Sequence, residues 1–200
     1  MQVEAVVLEG ERVRLEPMRR DHLAALTEAG RYDELWKWTT AIATTAETMA
    51  EYMGAALAQA DALTALPFVT IDKASAAVVG STRFGNIDPV NRRAEIGWTW
   101  ISPQFQRTYV NSEAKYLMLR HAFDVWGCVR VELKTDVLNE KSRAAMLRLG
   151  AVEEGILRRH VLTHSGRFRD TIYYSILDHE WPAVRARLEA RLRIAPIARE

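Results

Sequence analysis

The fold of this chain is decided by the run Ala94-Glu95-Ile96-Gly97-Trp98-Thr99-Trp100-Ile101, which opens a segment that continues to Gly150. Large apolar side chains occupy every second position of the run, and this period predicts a β-strand with one apolar face, formed by Ile96, Trp98 and Trp100. Glu95 and Thr99 are expected on the opposite face. The segment therefore begins with a strand that is buried on at least one side.

A turn and a helix follow this strand. Pro103 interrupts strand pairing, and Asn111 is a favourable N-cap, so a helix is predicted to start near Asn111. Its apolar residues recur at helical spacing before Gly127 ends it: Ala114, Leu117, Met118, Ala122 and Val125. The first N–H groups of a helix lack partners and lie at the positive end of its dipole. The strand–turn–helix unit therefore favours a phosphate-bearing ligand.

A second strand and a second helix complete the segment, and further elements flank it. The alternation of Val129, Val131 and Leu133 with charged residues predicts the strand. Asn139 then caps a helix that Gly150 ends. Outside the segment, strands are predicted around residues 13–15, 67–72, 77–86, 152–162 and 168–177. Further helices are predicted after three N-caps: Asp21, Thr45 and Asp178.

Several ordered motifs in this chain match one known family. They are Glu95-Ile96-Gly97-Trp98 and the runs 108–119, 131–136, 139–142, 149–151, 154–158 and 169–171. On these motifs the chain, from about Gly10 to Leu192, resembles the Gcn5-related N-acetyltransferase (GNAT) superfamily. Within it, the chain resembles the ribosomal-protein N-terminal acetyltransferase (RimJ/RimL-like) type. The resemblance implies one GNAT domain over residues 1–200 with an α+β fold: a mixed, mostly antiparallel sheet of about seven strands, a central strand–turn–helix cofactor site and flanking helices.

The resemblance also implies an activity, the transfer of an acetyl group from acetyl-CoA to a primary amine. The acceptor would be a protein N-terminus or a small amine, and it would attack the thioester directly in a ternary complex. Members of this type often pair, so a homodimer is one option. Two other functions stay open: a non-catalytic module that binds CoA or acyl-CoA, and an interaction protein that has lost CoA.

The implied cofactor site follows the organising strand and the loop after it. In the related fold this strand splays from the strand at 130–135, and the pantetheine arm lies in the wedge. Four residues would pair with that arm through their backbone: Trp98, Thr99, Trp100 and Ile101. The phosphates would meet the loop and helix start: Gln106, Arg107, Thr108, Tyr109, Val110, Asn111 and Ser112. Asn139 would hydrogen-bond the pantetheine, and Ser142 would lie near the thiol.

The phosphate loop departs from the family pattern Gln/Arg-x-x-Gly-x-Gly/Ala. Gln104 fits the first position, but Arg107 and Tyr109 stand where glycines are usual. A tyrosine side chain there would crowd a ligand that approaches the backbone closely. An arginine would instead add a charge-assisted hydrogen bond to phosphate. Because backbone N–H groups remain available whatever the side chains, we expect cofactor binding to be retained.

Two residues match catalytic positions of the family. Glu95 stands where histone acetyltransferases of the superfamily place a general base, and a partly apolar cleft would raise its pKa towards neutrality. The alternative is a surface glutamate paired with Arg92 or Arg93. Ser142 matches a serine hydroxyl that this subgroup uses near the thiol. Its alternative, like that of Asn139, is helix capping without chemistry.

Other side chains also have two interpretations. Trp36 and Trp38 lie among polar residues in a predicted turn and loop, where they either line an acceptor pocket or anchor a flap over the core. Cys128 is either a nucleophile or a small buried apolar residue. His160 and His164 flank the late hairpin and are alternative bases, although scattered single histidines are more often structural.

Composition limits the classes of function. The 200 residues are 48% hydrophobic, which suits one compact domain, and a net charge of +1 supplies no steering towards nucleic acid or an anionic membrane. A single cysteine excludes an internal disulfide and a cysteine-rich metal site, and the histidines lack ligand spacing, so no metal is expected. No apolar run approaches the roughly 20 residues of a membrane span, and no signal pattern is present. A cytoplasmic location is expected.

Overall fold

The organising strand is the fifth of eight in a computed structural model that describes residues 1–193. The strands are β1 (Leu8–Glu9), β2 (Val13–Pro17), β3 (Leu66–Asp72), β4 (Ala77–Asp88), β5 (Arg93–Ile101), β6 (Arg130–Asp136), β7 (Val152–Leu162) and β8 (Phe168–Leu177). The helices are α1 (Leu23–Gly30), α2 (Ala46–Asp61), α3 (Tyr109–Arg120), α4 (Glu140–Leu149) and α5 (Trp181–Leu192). A π-helical turn, His121–Val125, extends α3.

These strands form one sheet in the order β1-β2-β3-β4-β5-β6-β8-β7. Neighbouring strands are antiparallel except β5 and β6, which are parallel. The predicted fold class, a mixed and mostly antiparallel sheet with flanking helices, is confirmed. The sheet has eight strands instead of about seven because Leu8–Glu9 pairs with β2 as a two-residue edge strand. So short a strand carries too little alternation to be recognised in sequence.

Helices cover both faces of the sheet and bury two apolar cores. The larger core lies under α3, α4 and α5 and includes Ile96, Leu117 and Leu188. The smaller core lies under α1 and α2 and includes Met49 and Trp100. Because β5 contributes to both cores, its residues reach either side of the molecule.

The predicted alternation of β5 breaks at a β-bulge. Ser81 pairs with Trp100 and Arg83 pairs with Gly97, so β5 holds one more residue than β4 between these pairs. Trp98 lies in the bulge with φ +49°. An extra residue turns the side chains that follow it to the other face of the sheet.

The bulge overturns the predicted faces of β5. Ile96 packs in the larger core, whereas Trp100 packs in the smaller one, so these residues do not share a face. Trp98 lies on the same side as Glu95, because its ring covers Gly85, the cross-strand partner of Glu95. A methyl group at Gly85 would overlap that ring. The placement of Glu95 opposite Trp98 is therefore wrong.

Three helix ends predicted for the middle of the chain are confirmed. Thr45 caps α2, Asn139 caps α4, and Gly150 ends α4 with φ +97°, as predicted. The helix predicted to start near Asn111 begins two residues earlier, because the Thr108 side chain accepts a hydrogen bond from the backbone of Val110.

Three other details of the helices differ from the prediction. Asp21 lies inside a 3-10 turn before α1, and Glu180 occupies the N-cap of α5 where Asp178 was predicted. Val125 is 69% exposed, because the π-helical turn adds a residue and rotates it off the apolar stripe of α3.

Candidate active site

A wedge opens where β5 and β6 part. Their parallel ladder joins Arg93, Ala94 and Glu95 to residues 130–132 and extends no further. From Ile96 to Ile101, β5 is paired on its β4 side only, so the splay that the resemblance implies is confirmed. Within the part of the chain that is described, the N–H and C=O groups facing the wedge lack a strand partner and can bind an extended molecule.

The loop from β5 to α3 adopts the backbone of a glycine-containing loop without glycine. Arg107 is exposed and has φ +61°, a left-handed conformation that costs a side-chain-bearing residue about 1–2 kcal/mol. Gln104 donates its amide to the Tyr32 hydroxyl at 2.6 Å, and Gln106 donates to the Ile101 carbonyl at 3.0 Å. These bonds fix the loop between β5 and the turn after α1.

Tyr109 is held by contacts at the edge of β3. Its hydroxyl donates a hydrogen bond to the Asp72 carboxylate, and the Arg12 guanidinium stacks on its ring at 4.4 Å from the centroid. The bond to Asp72 raises the pKa of Tyr109, which keeps the phenol protonated near neutrality. Crowding of the phosphate loop would require a free Tyr109 ring, and these contacts restrain it.

Glu95 is a buried carboxylate at the apex of the wedge. It is 2% exposed, and its Oε2 accepts from Asn86 Nδ2 at 2.7 Å and contacts Lys134 Nζ at 2.8 Å. The alternative of a surface glutamate paired with Arg92 or Arg93 is wrong. The expected apolar surroundings are also absent on this side, because an ammonium group contacts the carboxylate.

Lys134 reaches Glu95 from the neighbouring strand. Burial lowers the pKa of Lys134, but the adjacent Glu95 charge raises it further, so the pKa lies above its usual value. The Lys134 ammonium also lies 5.9 Å from the centroid of the Trp98 ring and 5.5 Å from that of Tyr173. The Lys134 ammonium is thus paired with the Glu95 carboxylate and lies near two aromatic rings.

Asn139 and Ser142 stand at the start of α4. The Asn139 side chain accepts from the Ser142 backbone N–H at 3.2 Å, which is the predicted cap. The Ser142 hydroxyl makes no hydrogen bond to any residue from 1 to 193, so capping does not use it. It is half-buried and available to a ligand.

Trp36 and Trp38 differ in their surroundings. Trp36 is 1% exposed, donates its indole N–H to the Gly30 carbonyl at 2.8 Å and packs against Trp100, which is the arrangement of a core anchor. Trp38 is half-buried, and its carbonyl accepts from Arg169 of β8 at 3.3 Å. The loop therefore joins α1 to the β7–β8 hairpin, and substrate contact by either tryptophan stays a prediction.

Comparison with known proteins identifies the family. The model of the Acetyltransferase (GNAT) domain matches residues 12–152. The chain belongs to the GNAT acetyltransferase family. YdaF of Bacillus subtilis, provisionally named a ribosomal N-acetyltransferase, is 38% identical over 102 residues, which are 51% of this chain and 55% of YdaF. The match thus spans about half the length of this curated relative.

Solved structures resemble the GNAT fold of this chain over most of its length. A GCN5-related N-acetyltransferase from Brucella melitensis has a TM-score of 0.88 and 34% identity, covering 96% of this chain and 87% of the other. RimJ of Mycobacterium smegmatis, solved in complex with CoA-disulfide, has a TM-score of 0.77 and 26% identity over 94% and 92% of the two chains. The predicted RimJ/RimL likeness is confirmed.

Three charged residues near the GNAT wedge were missed in the sequence. Lys134 is the partner of Glu95, Arg83 stacks on Trp98 at 4.9 Å from the ring centroid, and Lys115 of α3 donates to Thr99 at 2.6 Å. Arg83 follows Ser81 and Thr82, and Lys115 lies two positions from Glu113, so neither position carries a distinct signal in the sequence. Lys134 could be assigned only from the pairing of β5 with β6.

The remaining candidates are a buried cysteine and two histidines, of which His160 is exposed. Cys128 is 1% exposed, and burial raises the pKa of its thiol to about 11, which fits a core residue and not a nucleophile. His164 Nε2 lies 3.0 Å from the Trp36 carbonyl.

Among residues 1–193 no cluster of His, Cys, Asp or Glu has the arrangement of a metal site. No helix in that range is long and apolar enough to cross a bilayer.

Proposed function

We propose that this GNAT protein transfers the acetyl group of acetyl-CoA to a primary amine, by direct attack in a ternary complex. The observation that carries the proposal is the buried, ion-paired Glu95 carboxylate at the point where β5 leaves β6. We extend the proposal to one catalytic domain over residues 1–200 that acts in the cytoplasm.

The residues around the wedge fit acetyl-CoA. The free edge of β5 from Trp98 to Ile101 offers peptide groups to the pantetheine amides, and the first N–H groups of α3 offer donors to the pyrophosphate. Asn111 adds a buried side-chain oxygen that has no partner among the described residues. Arg107, exposed in the same loop, supplies a positive charge for phosphate.

Two side chains are assigned to two proton transfers, one from the acceptor amine and one to the leaving thiolate. An acceptor amine arrives as an ammonium ion and must lose a proton before it attacks a thioester. Glu95 accepts this proton directly or through water, and Lys134 holds the carboxylate in place. The free hydroxyl of Ser142 donates a proton to the leaving thiolate. A backbone N–H of β5 in the wedge stabilises the charge that develops on the thioester oxygen.

Similarity guides the choice of acceptor. YdaF carries a name that refers to ribosomal N-acetylation, and RimJ is another neighbour of this chain. A protein N-terminal amine is therefore the first acceptor to test, with small primary amines second.

The test begins with calorimetric titration of acetyl-CoA into the wild type, Arg107→Gly and Tyr109→Gly. Binding at micromolar strength, about −8 kcal/mol, is expected in the wild type. Arg159→Gly is the matched control, since Arg159 is also exposed with positive φ but lies on β7. No wild-type binding, with binding restored by either loop glycine, would overturn the proposal.

Turnover is then measured as thiol release with N-terminal peptides and small amines. Ser142→Ala is expected to lower kcat about tenfold or more with little change in stability, because its hydroxyl has no structural bond. Tight binding of acetyl-CoA without turnover on any amine would favour the non-catalytic module.

A further inference from the structure

Arg83 of β4 is a buried cation without a carboxylate partner. It is 3% exposed, and no carboxylate of residues 1–193 lies within 4.0 Å of its guanidinium. Its Nε atom is buried and has no hydrogen-bond partner among the described residues. Burying an unpaired charge is costly, and buried arginines are normally paired with acids. This exception requires an explanation.

Two aromatic rings enclose the Arg83 guanidinium. Its Cζ lies 4.9 Å from the Trp98 ring centroid and 5.2 Å from that of Tyr52 in α2. Cation–π contacts of this kind are attractive, yet the ring faces attract the cation without neutralising it. The positive charge of Arg83 therefore remains available to an anion.

The hydrogen-bond acceptor at that edge is neutral and replaceable. Arg83 Nη1 donates to Gln59 Oε1 at 3.0 Å, and Gln59 is an exposed residue near the end of α2. The displacement of one exposed amide would therefore open the guanidinium to a carboxylate, which binds it through two parallel hydrogen bonds.

Arg83 also lies beside the proposed reaction centre. It pairs across the sheet with Gly97, and a Cβ at Gly97 would stand 2.8 Å from Glu95 Oε1. Cross-strand partners have Cβ positions about 5 Å apart. Lys134 on the same face is paired with Glu95, whereas Arg83 has no such counter-charge in the part of the chain that the structure describes.

We propose that Arg83 is an acceptor-binding residue that recognises a carboxylate on the amine substrate. The inference rests on the proposed acetyl transfer and narrows its substrate class to amines that also carry a carboxylate. That carboxylate is either the α-carboxylate of a free amino acid or an acidic side chain next to a peptide N-terminus.

The test compares matched acids and amides as ligands and as acceptors. N-acetylalanine is titrated against N-acetylalaninamide, and N-acetyl-Ser-Glu-amide against N-acetyl-Ser-Gln-amide, by calorimetry in the presence of CoA. The wild type is expected to bind the acid of one pair about tenfold more tightly than its amide. The first pair reports a free amino acid, and the second reports a peptide.

Two variants assign the preference to this site. Gln59→Glu places a carboxylate on Arg83 from within the chain and is expected to abolish the preference for the acid. Ala58→Glu adds the same charge at an exposed neighbouring position of α2 and is expected to retain the preference. Arg83→Gln is expected to behave like Gln59→Glu, with acetyl-CoA titration confirming that the variant is folded.

Three results would overturn the inference: equal wild-type binding of acid and amide in both pairs, a preference that survives Gln59→Glu, or a preference lost equally in Ala58→Glu. Thiol release with the unacetylated forms separates this inference from the proposed function. Equal acetylation of acids and amides would refute the carboxylate site and support acetyl transfer. Tighter binding of the acids without turnover would refute acetyl transfer and support the carboxylate site.

Discussion

The two faces of β5 hold buried charge in different ways. On the face of α1 and α2, the Glu95 carboxylate lies 2.8 Å from Lys134 Nζ, so an ion pair balances this carboxylate, whereas Arg83 on the same face makes no ion pair with residues 1–193. On the face of α3, Lys115 is buried, and within residues 1–193 its hydrogen bonds go to two hydroxyls, that of Thr99 at 2.6 Å and that of Thr82 at 3.3 Å. Burial lowers the pKa of Lys115 to about 7. The buried carboxylate at the proposed reaction centre is thus ion-paired, whereas the buried lysine under α3 is only partly charged near pH 7.

The largest effect is expected from breaking the ion pair. Glu95→Gln removes the proposed base and should lower kcat/KM by about 10²–10⁴-fold, the usual contribution of a general base. Thiol-release rates measure the loss, and Glu140→Gln, an exposed residue of α4, is the control. Because the variant also leaves Lys134 unpaired, Glu95→Gln with Lys134→Met should regain stability without regaining turnover. Recovery of turnover in the double variant would exclude Glu95 as the base.

Removing the unpaired charge of Lys115, on the face of α3, should increase stability. Lys115→Met is expected to raise the free energy of unfolding at pH 7 by about 1–4 kcal/mol, because it removes a buried, unpaired ammonium. The hydroxyl oxygens of Thr82 and Thr99 already lie 2.7 Å apart, so the two residues remain hydrogen-bonded to each other without the lysine. Urea unfolding measures the gain, with the exposed Lys141→Met as the control. A loss of stability would contradict the comparison.

The pH dependence of Lys115 has a definite sign. Its folded pKa of about 7 lies below the unfolded value of about 10.4, so between these values the unfolded chain binds more protons. The wild type should therefore gain stability as pH rises from 7 towards 10, by up to about 1.4 kcal/mol per pH unit relative to Lys115→Met. Urea unfolding at pH 7, 8 and 9 checks the difference, and parallel profiles of the two proteins would refute it.

Gly85 tests how Trp98 is held on the Glu95 face. Gly85→Ala should destabilise the protein by about 1–3 kcal/mol, since its methyl group would overlap the Trp98 ring. Gly54→Ala is the matched control, because a Cβ at Gly54 in α2 meets no atom within 4 Å. That variant should be neutral or stabilising by up to about 1 kcal/mol. Equal unfolding midpoints for the two alanine variants would contradict the described position of Trp98.

The smallest effect is expected at Thr99. Thr99→Val removes the closer acceptor of Lys115 and should cost about 1–2 kcal/mol, because a buried donor loses its partner. In the Lys115→Met background the same change should cost less, since it breaks only the bond between the Thr82 and Thr99 hydroxyls and leaves no buried ammonium without its acceptor. A double-mutant cycle by urea unfolding gives this coupling, and additive costs would show that the hydroxyl stabilises something other than the lysine.

The sequence predicts elements whose signals are local. Thr45, Asn139 and Gly150 mark helix ends because capping depends on residues three or four positions apart. The strands at 152–162 and 168–177 were predicted at their observed bounds, because a Gly-containing turn separates them.

The site was harder to predict because it depends on pairing between strands. The bulge at Trp98 arises from the register of β5 against β4, so alternation alone placed Trp98 on the wrong face. Lys134 lies 39 positions from Glu95, and only the parallel ladder brings the two together. Glu95 itself was identified through family resemblance, which carries information about such distant contacts.

The short ladder between β5 and β6 divides the sheet into two plates joined along a narrow seam. Within residues 1–193, its three pairs at Arg93, Ala94 and Glu95 and the adjacent bond from the Val129 N–H to the Arg92 carbonyl join β5 to β6. We expect wedge-facing amide hydrogens beyond this seam to exchange with solvent faster than those of the seam, because they lack a strand partner. A molecule that binds the free edge of β5 would act as a missing strand and stiffen the two plates into one.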